Sequence, residues 1–149
     1  MTKIRITKQF TFEMAHSLTD YDGLCKNIHG HSYHLDVTVI GEPIRDTTSP
    51  KLGMIIDFGD LKNIVHKEII GQLDHALLLN EKSDRELISI LKKHYEKIVL
   101  LPYQPTTENL LEDMALRIRK KLPVEVQLFS LRLRETDRSF AEWFASDND

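Results

Sequence analysis

Apolar and polar residues alternate from residue 3 to residue 16, placing Phe10, Phe12, Met14 and His16 on one face. The pattern predicts a strand whose buried side ends in a histidine. Residues 17–27 contain Asp20, Asp22 and Gly23 and read as a loop that brings Cys25 back toward this strand. Alternation resumes over residues 29–41, where Tyr33, Leu35, Val37 and Val39 continue the face that His29 and His31 begin. Histidines and core therefore share one side of both strands, as a metal held at the end of a strand pair requires.

The next stretch, 43–53, is polar and reads as a loop, followed by a short apolar run at 54–58. Leu61, Ile64, Val65 and Ile69 recur at helical spacing, with Asp57 or Asp60 placed to cap that helix. Asp74 and His75 precede an apolar run. An adjacent carboxylate and imidazole suit a proton relay, although such dipeptides also arise by chance. A second helix is predicted over 83–95 and a short strand over 98–101, closed by Pro102 and Pro105. Thr106, Thr107 and Glu108 open a third helix with an apolar face of Leu110, Leu111, Met114 and Ile118. Thr106 or Thr107 is its N-cap, Glu108 complements its dipole, and Pro123 stops it.

Val124, Val126 and Leu128 lie on one parity while Leu131, Leu133 and Glu135 lie on the other, so a long strand with a bulge near Phe129 and Ser130 is expected. Glu135 ends a core-facing row, where a carboxylate is either paired or functional. Residues 136–139 form a tight connection to a final strand at 140–144. The expected fold class is α+β, a four-stranded antiparallel sheet packed on helices.

Composition narrows the function. A chain of 149 residues is most simply a single domain, and 41% hydrophobic with 29% charged residues is ordinary for a globular protein. A net charge of −3 gives no bulk attraction for nucleic acid. One cysteine forms no intrachain disulfide. No apolar run reaches membrane-spanning length and the N-terminus carries no signal-peptide core, so no membrane partner and a cytoplasmic location are expected.

The chemistry-bearing stretch is Cys25 to His31. Residues two apart on a strand face one side about 6.6 Å apart, so His29 and His31 can turn toward one ion, with Gly30 letting the backbone pass close. A lone histidine such as His16 is ordinarily a satisfied core or surface residue. With His16 from the neighbouring strand, however, three imidazoles and an open position would make a catalytic rather than a structural site. Zinc is the first choice, while nickel, copper and iron accept the same ligands. Cys25 lies four residues before His29, where a cation can lower a thiol's pKa and make it a nucleophile or base.

With these residues in hand, the chain resembles the 6-pyruvoyltetrahydropterin synthase family, most closely its 6-carboxytetrahydropterin synthases of the queuosine precursor pathway. The resemblance runs through Phe12 to His16, Cys25 to His31, Ile56 to Leu61, Leu73 to His75, Pro105 to Leu110 and Arg134 to Thr136, in the family's order. The three residues between Cys25 and His29 look like the carboxy-forming branch. The resemblance implies one Zn2+ per subunit held by His16, His29 and His31, and Cys25 as the catalytic thiol. Asp74 and His75 would tune that thiol across a subunit boundary. Glu135 would anchor the pterin ring and join the relay, and Thr106, Thr107 and Glu108 would line the pterin pocket, so cap and pocket wall can be the same residues. It also implies a tunnelling fold assembled as a homohexamer of two stacked trimers, with active sites between subunits. The substrate implied is the small molecule 7,8-dihydroneopterin triphosphate, converted to 6-carboxytetrahydropterin, acetaldehyde and triphosphate.

The chain departs from the family pattern at Met14, where a small residue is usual, and in a helical insertion at about 81–104 that is longer than in short members. Lys26, Lys51 and Arg138 are candidates for the triphosphate, although solvated surface charge is the ordinary reading of each. Two alternatives use the same scaffold: a pyruvoyl-forming elimination and a dihydroneopterin aldolase-type cleavage. A third is a non-catalytic, pterin-binding zinc oligomer.

Overall fold

The computed structural model describes residues 1–149. Strand β1 (Ile4–His16) and strand β2 (His29–Gly41) pair antiparallel without a slip from Ile4 opposite Gly41 to His16 opposite His29. The register is fixed because one face is buried: a shift by one residue would turn Phe10, Phe12, Met14, Tyr33, Leu35, Val37 and Val39 out of the core. Each fully buried aliphatic side chain contributes about 1.5–3 kcal/mol, so such a slip would be prohibitive. Both strands end at a histidine, which places the metal candidates at one end of the sheet.

Helix α1 (Phe58–Val65) is capped by Asp57, whose carboxylate accepts from the Gly59 amide at 2.6 Å, while Asp60 pairs instead with Lys51. The helix continues through a π-helical turn (His66–Ile70) into α2 (Gly71–Leu73), burying Leu61, Val65, Ile69 and Leu73 against the sheet. Strand β3 (Ala76–Asn80) follows, then α3 (Arg85–His94), capped by Asp84, and strand β4 (Ile98–Leu101). No residue of α3 is fully buried, and Leu87 and Ile90 are exposed. Helix α4 (Thr107–Arg119) starts at an N-cap Thr106, whose hydroxyl accepts from the Asn109 amide at 3.3 Å. Its apolar stripe of Leu110, Leu111, Met114 and Ile118 closes the core, and no helix of the chain is long and apolar enough to cross a membrane.

Strand β5 (Gln127–Thr136) pairs with β2, and strand β6 (Ser139–Phe144) pairs with β5. Thr38 faces Ser130 while Val39 faces Leu128, so Phe129 is the extra residue of a bulge, as the change of parity predicts. Val124 lies outside the strand and is exposed.

The sheet corrects the expected strand count. It has six strands in the order β4-β3-β1-β2-β5-β6 rather than four, and it is mixed, because β3 runs parallel to β1 and to β4. Strand β3 is a short apolar run with Leu78 and Leu79 buried, so it lacks the alternation that marks a half-exposed strand. The α+β class stands.

Candidate metal centre

His16, His29, His31 and Glu135 offer one donor atom each, and these atoms lie within 4.8 Å of one another. His16 closes β1 and His29 opens β2 directly opposite. His31 follows two residues later on the same face, and Glu135 arrives from β5 on the parity that the Phe129 bulge sets. Gly30 points to the other face, where a Cβ would lie 3.4 Å from the Met14 carbonyl, so it serves the strand pair rather than the centre.

The backbone decides how the rings present themselves. His16 Nδ1 donates to the Pro105 carbonyl at 2.7 Å, and His29 Nδ1 donates to the Asn27 carbonyl at 2.7 Å. Each Nε2 then carries a lone pair, and these two nitrogens stand 3.0 Å apart. His31 Nε2 is buried without an aligned hydrogen-bond partner, 2.9 Å from Glu135 Oε1, which is also 3.4 Å from His16 Nε2. The second carboxylate oxygen accepts from the Thr107 hydroxyl at 3.0 Å. Two lone pairs, the His31 nitrogen and a carboxylate converging on one point call for a cation, either a metal ion or protons. The residues therefore fit a divalent ion, and backbone carbonyls orient two of its imidazole ligands.

Contact with the His16 imidazole, with help from Thr107 and His31, pulls the Glu135 carboxyl down to about 2. Burial holds the His31 imidazole below its ordinary value of 6.5. As pH falls, the unfolded chain takes up the His31 proton first. The stability this group supplies is complete above 6.5 and is lost as the pH drops toward its folded value. The Glu135 contribution is lost later, as the pH falls from 4.5 to about 2. Urea midpoints of the metal-free chain should accordingly decline in two acid steps, the first beginning near 6.5. A flat profile from neutral pH to 4.5 would contradict the burial of His31.

Cys25 is exposed in a short turn (Leu24–Lys26), which is tied back by the Leu18 amide donating to the Cys25 carbonyl at 3.0 Å. The thiol shares a cavity of about 220 Å³ with His16, Thr106, Thr107, Glu108 and Glu135, walled on one side by Phe140. Six of the ten residues proposed from sequence thus line this one cavity. His29 and His31 complete the metal cluster beside it. Thr106 caps α4 while Thr107 holds Glu135, so these two threonines divide the roles of cap and site.

Asp74 and His75 lie elsewhere. The Asp74 carboxylate accepts from the Glu13 amide at 3.0 Å, which lowers its pKa, and stands 3.1 Å from His75 Nδ1. The His75 amide donates to the Glu13 carbonyl at 2.6 Å, holding His75 at a φ of 61°. The cavity that His75 lines with Glu13 and Ser32 also reaches His31 of the cluster, but it shares no residue with the Cys25 cavity. Within one chain, thiol and dyad do not meet. Lys51 is also remote, because its partner Asp60 lines a separate cavity that contains none of the proposed site residues.

Tyr33 is a residue of the site that sequence reasoning took only as core. Its ring stacks on Phe12 with centroids 5.3 Å apart and stands 5.5 Å from the His31 ring and 6.4 Å from the His16 ring. Burial, then the nearby Glu135 and Cys25, pushes its phenol pKa up. The available signal was a polar atom at the next position on the histidine face. The Pro105 and Asn27 carbonyls left no signal, because main-chain groups carry no residue identity.

Comparison with known proteins follows the same features. The family profile described as 6-pyruvoyl tetrahydropterin synthase matches residues 5–145. A protein from Haemophilus influenzae named 6-carboxy-5,6,7,8-tetrahydropterin synthase is 37% identical over 141 residues, covering 93% of this chain and 97% of the relative. A Rickettsia typhi protein of the same name is 32% identical over 142 residues, covering 93% and 99%. The solved 6-pyruvoyl tetrahydropterin synthase of Caenorhabditis elegans superposes with a TM-score of 0.66 at 23% identity over 97% of each chain. That of Plasmodium vivax superposes at 0.70 and 18% identity over 96% of this chain and 98% of its own. At these identities the two structures establish the shared fold.

Proposed function

Because the chain belongs to the 6-pyruvoyl tetrahydropterin synthase family, we propose that it is a zinc-dependent 6-carboxy-5,6,7,8-tetrahydropterin synthase of queuosine biosynthesis. On this reading it is a lyase that converts 7,8-dihydroneopterin triphosphate and one water into 6-carboxytetrahydropterin, acetaldehyde and triphosphate. The observation that carries the reading is the shared cavity, where a thiol, a histidine of the cation cluster and a carboxylate face one space. The curated relatives' names support the carboxy product.

Zinc suits the donor set: nitrogens bound to one tetrahedral zinc at about 2.0–2.1 Å lie roughly 3.3 Å apart, close to the 3.0 Å between His16 and His29. When bound, the ion supplies Lewis acidity toward the side-chain hydroxyls of the substrate. Glu135 pairs with the pterin edge and fixes the ring, while Thr107 holds the carboxylate and Thr106 and Glu108 line the pocket. Cys25 accepts a proton from the substrate side chain and returns it elsewhere. Asp74 and His75 of a neighbouring chain tune that thiol, because within one chain His75 and Cys25 line different cavities.

The same reading takes residues 1–149 as one domain with an insertion at 81–104, and the assembly as a cytoplasmic homohexamer of two stacked trimers. Support for assembly comes from the separated thiol and dyad, the edge strands β4 and β6, and the exposed apolar residues of α3. Incubation of the zinc-loaded protein with 7,8-dihydroneopterin triphosphate, read by mass spectrometry, tests the function. Carboxypterin with equimolar acetaldehyde is expected. A pyruvoyl product moves the chain to the sister activity, and substrate bound but unchanged leaves a binding protein.

A further inference from the structure

The chain has two buried side-chain polar atoms without a hydrogen-bond partner, His31 Nε2 and the Tyr33 hydroxyl, on one strand face two residues apart. A buried orphan polar group ordinarily costs about 1–3 kcal/mol, so two together mark a place where something else binds. The β1–β2 register sets Tyr33 opposite Phe12 and His29 opposite His16. Tyr33 is thus four residues from the level of His16, roughly 13 Å of strand. The two ring centroids are nevertheless 6.4 Å apart. Both side chains must lean toward each other along the strands, which carries the phenol oxygen, beyond the ring, toward the histidines.

Stacking on Phe12, with ring planes 10° apart, and complete burial hold the phenol there and keep it from solvent. The neighbouring polar atoms are lone pairs or already spent: the Nε2 atoms of His16 and His29 and the carboxylate accept, and the Thr107 hydroxyl is committed to Glu135. Tyr33 is the donor without an assignment.

We propose that Tyr33 is a positioning residue of the metal centre, its buried hydroxyl donating to a hydroxylic oxygen, of water or of substrate, that enters beside the three histidines with the cation. This rests on reading the histidine cluster as a cation site. Partners just outside a metal's own ligands commonly alter affinity by about 10–100-fold, which sets the size of the effect.

The test compares Tyr33→Phe with the parent chain, using Zn2+ affinity by chelator competition, the visible spectrum of the Co2+ form, and the melting temperature of the metal-free protein. The variant keeps the ring and loses only the hydroxyl. Zn2+ affinity should fall about 10-fold, the Co2+ band should shift, and the metal-free protein should melt no lower than the parent. A second variant, Phe12→Leu, disturbs the stack and keeps the hydroxyl; it should melt lower with Zn2+ affinity nearly unchanged. Equal Zn2+ affinity in Tyr33→Phe and parent overturns the proposal, as does an equal loss in Phe12→Leu, which would assign the effect to packing. A parent chain that binds no cation removes both this proposal and the reading beneath it. A parent that binds Zn2+ but does not convert the pterin leaves the proposal standing and removes only the proposed activity.

Discussion

Cys25→Ala should lower turnover of 7,8-dihydroneopterin triphosphate by about 10³-fold, within the range of a positioned acid–base group, while each chain still binds one zinc ion. The two halves of this result come from different parts of the geometry. The thiol lines the cavity with His16 and Glu135 but is not among the four residues whose donor atoms cluster. Its turn is held by backbone contacts, the Leu18 amide on the Cys25 carbonyl and the Ser17 hydroxyl on the Lys26 carbonyl. Alanine therefore removes the thiol without loosening the loop or the histidine cluster. Steady-state turnover and metal analysis of the same sample check it. Zinc lost along with activity would make Cys25 a ligand, and turnover retained would give the proton transfer to another group.

The second large effect appears only in a mixture. His75→Ala and Cys25→Ala should each be nearly inactive, yet denaturing the two together and refolding them should restore activity at about one site in four, the fraction that pairs an intact thiol with an intact dyad from different chains. The separation of the two groups within one chain motivates this expectation. Asp74 and His75 are pinned to the main-chain amide and carbonyl of Glu13, just before β3 pairs with β1, and His75 is held in a left-handed backbone conformation. These backbone ties hold the dyad at a cavity that shares no residue with that of Cys25. Activity of the mixture equal to the sum of the separate variants would mean that dyad and thiol do not share a site.

Much of this arrangement was legible because the relevant elements are half-buried strands. Alternation located β1 and β2, and since each carries its core face into a histidine, the cluster of His16, His29 and His31 followed from parity. The parity change between Leu128 and Leu131 located the bulge and put Glu135 on the same side. Strand β3 was illegible for the opposite reason: its apolar run has no period, and it pairs with β1 over only Met14, Ala15 and His16, far away in sequence. The division of Asp74 and His75 from Cys25 depends on where β3 docks beside β1, a tertiary fact that adjacency in sequence does not carry. Tyr33 was read correctly as core, but its lean along the strand is set by packing on Phe12 and left no trace in the pattern.

The bulge at Phe129 also limits how this chain can change. Upstream of it β5 is in one phase and downstream in the other, and the downstream phase is shared by the core leucines and the carboxylate of the site. Leu128 and Leu131 both face the core across the bulge, so the extra residue could be lost without turning the strand over, whereas a residue lost or gained between 131 and 135 would turn Glu135 away from the face that Leu131 keeps. Downstream of the bulge, length can change only in pairs of residues. Single-residue tinkering, and with it the adaptation of the site to different substrates, is left to segments outside that frame, chiefly the loop at 17–28 and the segment at 81–104.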